Sequence, residues 1–477
     1  MRRMEEGGRR TVQRQKITSS EFLCGLCFAL CFFAFMLTEA FVNERCAVIL
    51  SSRAVNPVYT FGLVCTGLGF LSFSLLRRIC KGEKSRKAVQ LIIGVLCLAA
   101  AAALLFADRP VLFLISAAAA LLLTGHISGC VYYNTAMYLA GNRYTGRIIG
   151  TGMGAAIFFQ FAAQNLMPQS VTFIISIVLS VAFVMYFIMK APKDWILENP
   201  LPYSSDGKSN RKAAIALIVS VVLMSLVVGM IDSVLTAFNA EKSYDIYGGV
   251  RLFYALGLLL AGCIADLRER KYLPLATVCT ILLSSVCMFF LSDEVSYFAG
   301  TALMYLYSGF YVIFFTVMFL DFAPKSSRPE LWAGMGRIVR SFTVAATVLP
   351  ALNIYDAVGN TALAVGSCLL SILILLVLLP YLGAAVSDKS PVKASSGDDE
   401  LSPQARMELY AQHCSLTPRE TEVLEKLLTT EDGVQEIADS LYISRRMLQR
   451  YIASIYEKTE TKTRLGLFQS YLNFTGE

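Results

Sequence analysis

Twelve mostly apolar stretches, each about 20 residues long, limit what this chain can fold into more than any other feature of the sequence. A helix of that length spans a bilayer, and its backbone hydrogen bonds are all made within the helix. The stretches lie at 21–42, 57–76, 88–107, 111–139, 148–168, 170–190, 213–238, 246–267, 272–292, 295–320, 333–352 and 360–385. Only 16% of the residues are charged, against about 25% in soluble proteins. We therefore predict an all-α membrane body with twelve spans.

The loops between these stretches differ in basic residues. The N-terminal segment 1–20 and the loops after even-numbered spans hold most of the lysines and arginines, whereas the opposite loops hold Arg45, Arg53, Arg109 and Lys242. Because basic loops stay in the cytoplasm, we predict a multi-pass protein of a bacterial cell membrane with both termini cytoplasmic. A cleaved signal peptide is the alternative for the first span, but no A-x-A cleavage site follows it.

The polar segment 191–212, a predicted cytoplasmic loop, divides the spans into two halves of six, 21–190 and 213–385. Three pairs of similar segments recur at offsets of 180 to 193 residues: Gly146-Arg147 with Gly336-Arg337, Ser128-Gly129 with Ser308-Gly309, and Glu39 with Asp232. Such repetition is typical of transporters that contain a duplicated helical unit. It predicts a bundle of two related six-helix halves.

The segment Gly262-Cys263-Ile264-Ala265-Asp266-Leu267-Arg268-Glu269-Arg270-Lys271 joins the eighth and ninth spans. It resembles the cytoplasmic loop motif G-x-x-x-D-x-x-G-R-K of the major facilitator superfamily. The resemblance assigns Gly262, Asp266, Arg270 and Lys271 to an inner gate in which the aspartate pairs with basic groups at helix ends. Glu269 replaces the second glycine, and the corresponding loop of the first half lacks the aspartate. A charged loop that only orients the protein is the alternative.

Ionisable residues inside the spans are the candidates for ligand sensing, because burying them in hydrocarbon costs several kcal/mol. Glu39, His126 and Asp232 are the main candidates, and Arg251, Arg337 and Arg340 lie near span ends. A cavity between the halves would use such groups, whereas hydrogen bonding between helices is the alternative for each. The 13 cysteines are interpreted as small packing residues, and no metal or cofactor is predicted.

The charge balance changes after Ala385. Up to that residue, 31 Lys and Arg stand against 20 Asp and Glu, and after it 11 stand against 15. Residues 386–403 are rich in Ser, Pro and Asp without apolar periodicity, which predicts a flexible linker that spans roughly 25 Å as a random coil. A third region, 404–477, follows it and stays close to the membrane.

The last region has the pattern of a helix-turn-helix. Thr417, Pro418 and Glu420 form a capping-box signature that starts one helix. Ser444 caps a later helix that continues to about Thr459 and begins with basic residues. Such a helix fits the DNA major groove, where Arg bonds to guanine and Gln to adenine.

Residues 415–473 resemble the LuxR/FixJ-type DNA-binding domain. The resemblance is carried by Leu416-Thr417-Pro418-Arg419-Glu420-Thr421-Glu422-Val423-Leu424, Glu436-Ile437-Ala438, Leu441, Ile443-Ser444, Ile455-Tyr456-Glu457-Lys458 and Arg464. It implies base contacts from Gln449, Arg450 and Ala453, and a dimer contact through the last helix. The predicted DNA-binding residues are Ser444, Arg445, Arg446, Gln449, Arg450, Tyr451, Ala453 and Lys458. Met447-Leu448 and Tyr451 replace the family's Thr-Val and His, so the operator sequence cannot be predicted.

These patterns favour a membrane-embedded one-component transcription regulator, in which the transporter-like body senses a small molecule and the tail binds double-stranded DNA. The alternative is a secondary transporter of the major-facilitator type with a regulatory DNA-binding tail. An enzyme is not predicted, because the sequence has no P-loop, no G-x-S-x-G and no cluster of metal ligands.

Overall fold

The computed structural model describes residues 19–80, 82–166, 168–190, 207–241, 245–246, 248–268, 270–287, 294–386, 403–430, 432–459, 461 and 464–474. Every regular element in these ranges is a helix, so the predicted all-α class is confirmed. The chain divides into two compact units, Met1–Asp388 and Lys389–Glu477. The predicted linker 386–403 lies almost wholly outside the described residues, as do 1–18 and most of the central loop.

Within the described residues, the first unit has twelve main helices. They are α1 (Ser19–Ile49), α2 (Val55–Ile79), α3 (Glu83–Leu105), α4 (Pro110–Tyr138), α5 (Thr145–Leu166), α6 (Gln169–Lys190), α7 (Gly207–Ala240), α8 (Arg251–Ala265), α9 (Tyr272–Cys287), α10 (Glu294–Phe322), α11 (Pro329–Val358) and α12 (Asn360–Val386). Helix α7 begins within the predicted central loop, which had been expected to continue to residue 212.

Length and composition separate these helices into two groups. Within the described residues, nine helices are long and apolar enough to cross a membrane, α8 and α9 are shorter apolar helices, and α5 belongs to neither group. The chain is therefore a multi-pass membrane protein, while the predicted number of twelve spans is not confirmed.

The two halves of the body repeat the same helix contacts. In the first half α1 packs on α5 and α6, α2 on α4, and α3 on α4 and α6. In the second half α7 packs on α11 and α12, α8 on α10, and α9 on α10 and α12. The main contacts between the halves join α5 to α8 and α2 to α11. The pattern supports the predicted duplication of a six-helix unit.

Glycines allow the closest helix crossings in both halves. A Cβ atom on Gly309 would lie 2.5 Å from the backbone nitrogen of Leu258 and 2.7 Å from the Cα atom of Gly257. Gly125 approaches Gly69 in the same way in the first half, where a Cβ on Gly125 would lie 2.5 Å from the carbonyl oxygen of Thr66. By contacts, Gly309 therefore corresponds to Gly125 and not to Gly129, the residue paired with it from sequence.

In the part of the second unit that the structure describes, five shorter helices surround a core of their own. They are α13 (Pro403–His413), α14 (Pro418–Thr429), α15 (Val434–Ser440), α16 (Arg445–Lys458) and α17 (Arg464–Asn473). The fully buried core residues include Leu424, Ala438, Leu448, Ile455 and Leu467. Because Tyr410 of α13 is also buried in it, all five helices contribute to one small core, and a short turn joins α15 to α16.

Candidate functional sites: a charged cavity and an exposed recognition helix

A cavity of about 850 Å³, including its open mouth, lies between the two halves of the body. It is bordered by Glu39 of α1, Asp232 of α7 and three arginines of α8 and α11. The other lining residues are Phe35, Met36, Asn43, Tyr59, Val228, Ile231, Leu235, Thr236, Ile246, Tyr254, Met304, Tyr305, Ser308, Tyr311 and Val312. The cavity thus brings together two of the three predicted sensing residues.

Asp232 is held by groups from both halves. Its Oδ2 accepts a hydrogen bond of 3.1 Å from the hydroxyl of Tyr59 and lies 3.5 Å from Nη2 of Arg340. Asn56, also on α2, donates its side-chain amide to the carbonyl oxygen of Ser233 at 3.1 Å. These contacts connect α2, α7 and α11 at the cavity. A change in the charge of Asp232 would therefore alter contacts in both halves.

The remaining two arginines each donate to polar groups of neighbouring helices. Arg251 donates to the Tyr305 hydroxyl and to Oε1 of Gln160, each at 3.3 Å. Arg337 donates from Nε to the Tyr132 hydroxyl at 3.0 Å. The cavity therefore holds three guanidinium groups and two carboxylates, which gives its lining a formal net positive charge.

His126 belongs to another environment. Its Nδ1 lies 2.8 Å from the hydroxyl of Ser72, its Nε2 lies 3.2 Å from Nε2 of Gln90, and its ring packs edge-on against Phe73. It is not among the described residues that line the cavity. Depth in a span made it a candidate, but these contacts fit a residue that connects α2, α3 and α4.

The predicted gate loop joins the two halves at the C-terminal end of α8, whereas the cavity residue Arg251 lies at its N-terminal end. Asp266 accepts hydrogen bonds from the backbone nitrogens of Gly146 and Arg147 at 2.8 and 2.9 Å, at the start of α5. Arg270 donates to Asp266 at 2.5 Å and to Asp321 at 2.8 Å. Gly262 permits this approach, since a Cβ atom there would lie 2.6 Å from the carbonyl oxygen of Gly146. Lys271 lies half-buried in the same loop.

A second contact joins the halves at the equivalent place on α2. Arg78, in the last turn of α2, donates from Nε to Oε1 of Glu330, in the first turn of α11, at 2.9 Å. Arg78 occupies the position at which the first half lacks the motif's aspartate. Here the residue at the end of α2 is basic and its partner on α11 is acidic, whereas Asp266 at the end of α8 is acidic. The sequence contained both residues, but no motif marked them as a pair.

In the second unit, α16 presents the predicted DNA-binding residues. Its N-cap is Ser444, whose hydroxyl accepts from the backbone nitrogen of Met447 at 3.3 Å, as predicted. Helix spacing puts Arg446, Gln449, Arg450 and Ala453 on one face, and all four are exposed. Arg445 and Ser444 are exposed beside them, and Leu448 and Ile455 are buried on the opposite face. The exposed basic face leaves its donors available to a polyanion.

Two predicted DNA-binding residues have contacts within the domain. Tyr451 is half-buried and packs against the core. Lys458, near the end of α16, donates from Nζ to Oε2 of Glu420 at 2.7 Å and to the carbonyl oxygen of Ser415 at 3.2 Å. Their roles toward DNA stay predictions, and Lys458 also has a structural role.

Glu420 is a buried acceptor that joins α14 to α16. Besides Lys458 it accepts from the Ser454 hydroxyl at 2.5 Å and from the backbone nitrogen of Thr417 at 2.7 Å, which confirms the capping box. Burial alone would raise the pKa of this carboxyl, but hydrogen bonds from Lys458, Ser454 and Thr417 outweigh it and lower the pKa to about 2. Glu420 is therefore ionised at neutral pH.

Two further residues of this unit have features that the sequence did not predict. Arg464 donates to the carbonyl oxygens of Leu427, Thr430 and Asp432, and so closes the C-terminal end of α14. Tyr442, in the turn before α16, is 96% exposed and has a φ of 54°, in the left-handed region that a tyrosine rarely adopts. Its exposed ring adjoins the basic end of α16.

Comparisons with known proteins agree with the description of the membrane body and with that of the C-terminal domain. A sequence profile of GerE, bacterial regulatory proteins of the luxR family, matches residues 414–470. The crystal structure of the human organic anion transporter MFSD10 (TETRAN) is similar at 14% identity with a TM-score of 0.54, and the match covers 76% of this chain and 98% of that chain. No curated protein matches the chain in a sequence search. The chain thus combines a luxR-family helix-turn-helix domain with a membrane body of the major-facilitator fold.

Proposed function

We propose that this chain, with its luxR-family domain and its major-facilitator-like body, is a membrane-embedded one-component transcription regulator. The observation that carries the proposal is the coexistence of a charged cavity between two related halves and a helix-turn-helix domain with an exposed basic face. A ligand in the cavity would favour one conformation of the body, and the tethered domains would then pair or separate on DNA.

The proposal includes several features of the site. The body lies in a bacterial cell membrane with both termini in the cytoplasm, as the basic loops indicate. The residues that contact the ligand are Glu39 and Asp232, and the contacts between α8 and α5 form the inner gate. The DNA partner is double-stranded, and α17 provides the dimer contact, so that two recognition helices reach half-sites about one helical turn apart.

Replacing Glu39 by glutamine together with Asp232 by asparagine is expected to abolish the transcriptional response to the inducer. The substitutions keep the side-chain volumes but remove both negative charges from the cavity, so ligand binding and the Arg340 contact change together. A reporter gene fused to the operator measures the response over a range of inducer concentrations. Asp108→Asn is the control, because Asp108 is exposed and outside the cavity. An unchanged dose response in the double variant would exclude these carboxylates from sensing.

The second candidate function is a secondary transporter whose tail regulates its own expression, and the fold of the body favours it. Uptake into proteoliposomes separates the two functions. Net substrate movement that requires Glu39 and Asp232 supports the transporter, whereas ligand-dependent DNA occupancy without net movement supports the regulator. DNA occupancy is measured on the full chain in nanodiscs.

Arg450→Ala is expected to weaken operator binding by roughly 1–3 kcal/mol and to relax the sequence preference, because an arginine on the exposed face of α16 can bond to two atoms of a guanine. The measurement is fluorescence anisotropy on DNA selected by the wild-type domain from a random library. Arg419→Ala is the matched control, since Arg419 is exposed on α14 and contacts Glu422. Equal losses on selected and scrambled DNA would show that Arg450 contacts phosphate alone.

A further inference from the structure

A second cavity, of about 540 Å³ including its open mouth, lies in the first half among α2, α3, α4 and α6. Three basic residues border it, Arg77 in the last turn of α2 and Arg86 and Lys87 in the first two turns of α3. The other lining residues are Phe73, Leu76, Cys80, Val89, Gln90, Cys130, Asn134 and Ile188. The described lining thus contains three cations, no carboxylate and several apolar side chains.

Two of these cations have no ion pair among the described residues. Arg77 donates from Nη2 to the Tyr133 hydroxyl at 2.7 Å, and its guanidinium lies 4.0 Å from the centre of the same ring. Arg86 donates from Nε to the carbonyl oxygen of Cys80 at 3.0 Å. Lys87 differs, because its ammonium pairs with Glu83 at 2.6 Å. A guanidinium has five N–H donors, so both arginines keep donors for an anion.

Gln90 gives the same cavity a buried acceptor. Its side chain is only 8% exposed, and its Oε1 has no hydrogen-bond partner in the part of the chain that the structure describes. Its Nε2 lies 3.2 Å from Nε2 of His126. A buried acceptor is costly unless a donor binds it. A ligand that fits this cavity therefore combines an anionic group with a hydroxyl.

Apolar residues beside the cavity are exposed on the outside of the body. Ile79, next to Cys80, is 65% exposed, and Leu91, next to Gln90, is 48% exposed. In a membrane-embedded body such side chains contact the acyl chains of lipids. A lipid can thus lay its acyl chains on this surface while its head group occupies the cavity.

We propose that this cavity binds the head group of an anionic phospholipid, whose phosphate accepts hydrogen bonds from Arg77 and Arg86 and whose hydroxyl donates to Gln90. Guanidinium groups suit phosphate oxygens, and basic pockets between membrane helices bind anionic head groups. A soluble phosphate ester has the same chemistry, but the apolar surface beside the cavity favours the lipid. The proposal goes beyond the regulator function, because it requires only the membrane body.

The test counts lipids bound to the full chain in an uncharged detergent by native mass spectrometry. The probes are phosphatidylglycerol and phosphatidylcholine with the same acyl chains, oleate, and glycerol phosphate. We expect phosphatidylglycerol to bind about tenfold more tightly than phosphatidylcholine, whose choline adds a positive charge and has no hydroxyl. Oleate lacks the phosphate and glycerol phosphate lacks the acyl chains, so both should bind more weakly than phosphatidylglycerol.

Variants assign the preference to the cavity. Arg77→Gln together with Arg86→Gln is expected to lower the affinity for phosphatidylglycerol about tenfold, to that for phosphatidylcholine. Lys84→Gln is the matched control, because Lys84 is an exposed cation of the first turn of α3 and does not line the cavity. If the double variant does not fold, Arg86→Gln alone should still weaken phosphatidylglycerol binding about threefold.

A preference for phosphatidylglycerol that is lost in the arginine variants and kept in Lys84→Gln supports the proposal. Equal binding of the two phospholipids, an unchanged preference in the arginine variants, or an equal loss in Lys84→Gln would overturn it. Oleate that binds as tightly as phosphatidylglycerol would exclude recognition of phosphate. Displacement of the lipid by an equal concentration of glycerol phosphate would identify a soluble phosphate ester as the ligand and reject the lipid.

Discussion

Replacing Glu420 by alanine is expected to lower the free energy of unfolding of the C-terminal domain by about 3 kcal/mol. The carboxylate is only 4% exposed and accepts hydrogen bonds from Thr417, Ser454 and Lys458. Its removal ends the capping box of α14 and leaves the Lys458 ammonium without this anion. Because small domains are only a few kcal/mol stable, much of the variant should be unfolded at ambient temperature, and DNA binding should be lost with the fold.

Urea denaturation of residues 403–477, a unit with its own core, measures this effect. Glu422→Ala is the matched control, because Glu422 lies two positions away on the same helix with half of its side chain exposed. The free energy of unfolding of the control should change by less than about 0.5 kcal/mol. If both variants lose the same stability, the buried contacts of Glu420 do not explain it.

The same carboxylate gives the domain a defined response to acid. The pKa of Glu420 is about 2 in the folded domain, below the value of about 4.3 for an unfolded chain. The stabilisation of the folded domain by ionised Glu420 is therefore complete above about pH 4.3, and it is lost as the pH falls toward 2. The Glu420→Ala variant should lack this part of the acid dependence.

Gly309→Ala is expected to destabilise the membrane body by about 2–3 kcal/mol. The added Cβ atom would lie 2.5 Å from the nitrogen of Leu258 and 2.6 Å from the carbonyl carbon of Gly257, so backbone atoms of α8 would have to move. Side chains could rotate away, but backbone atoms in a helix cannot. The change would separate α8 from α10 near the cavity residues Tyr305 and Ser308.

Gly366→Ala provides the matched control for this substitution. Gly366 also lies in a helix, α12, but a Cβ atom there would meet only the flexible side chain of Met230 at 3.7 Å. Alanine favours a helix by about 0.5–1 kcal/mol over glycine, so Gly366→Ala should stabilise the body. Thermal unfolding of both variants in nanodiscs measures the two effects, and a shift of the same sign in both would contradict this account of Gly309.

Features that depend on local spacing could be predicted from sequence. The capping box of Thr417 and Glu420 and the cap at Ser444 follow from side chains three residues from their partners, and both are confirmed. The all-α class could also be predicted from sequence, because an apolar stretch of membrane length can satisfy its backbone hydrogen bonds in only a few ways.

Features that depend on distant residues could not be predicted in this way. Lys458 was interpreted only as a DNA contact because its partner Glu420 lies 38 residues away. Likewise His126, Glu39 and Asp232 share an ionisable side chain inside a predicted span, but this does not say toward which neighbour a side chain points. Only the latter two meet in the cavity.

The charged contacts at the C-terminal ends of α2 and α8 differ in their surroundings. The Arg78 side chain is 48% exposed, so its attraction to Glu330 is screened by dissolved salt. Asp266 is 1% exposed and bonded to backbone nitrogens, so ions in solution reach it poorly. The two related halves are therefore joined by charged contacts of unequal sensitivity to salt, and the contact between α2 and α11 is the one that rising ionic strength would weaken first.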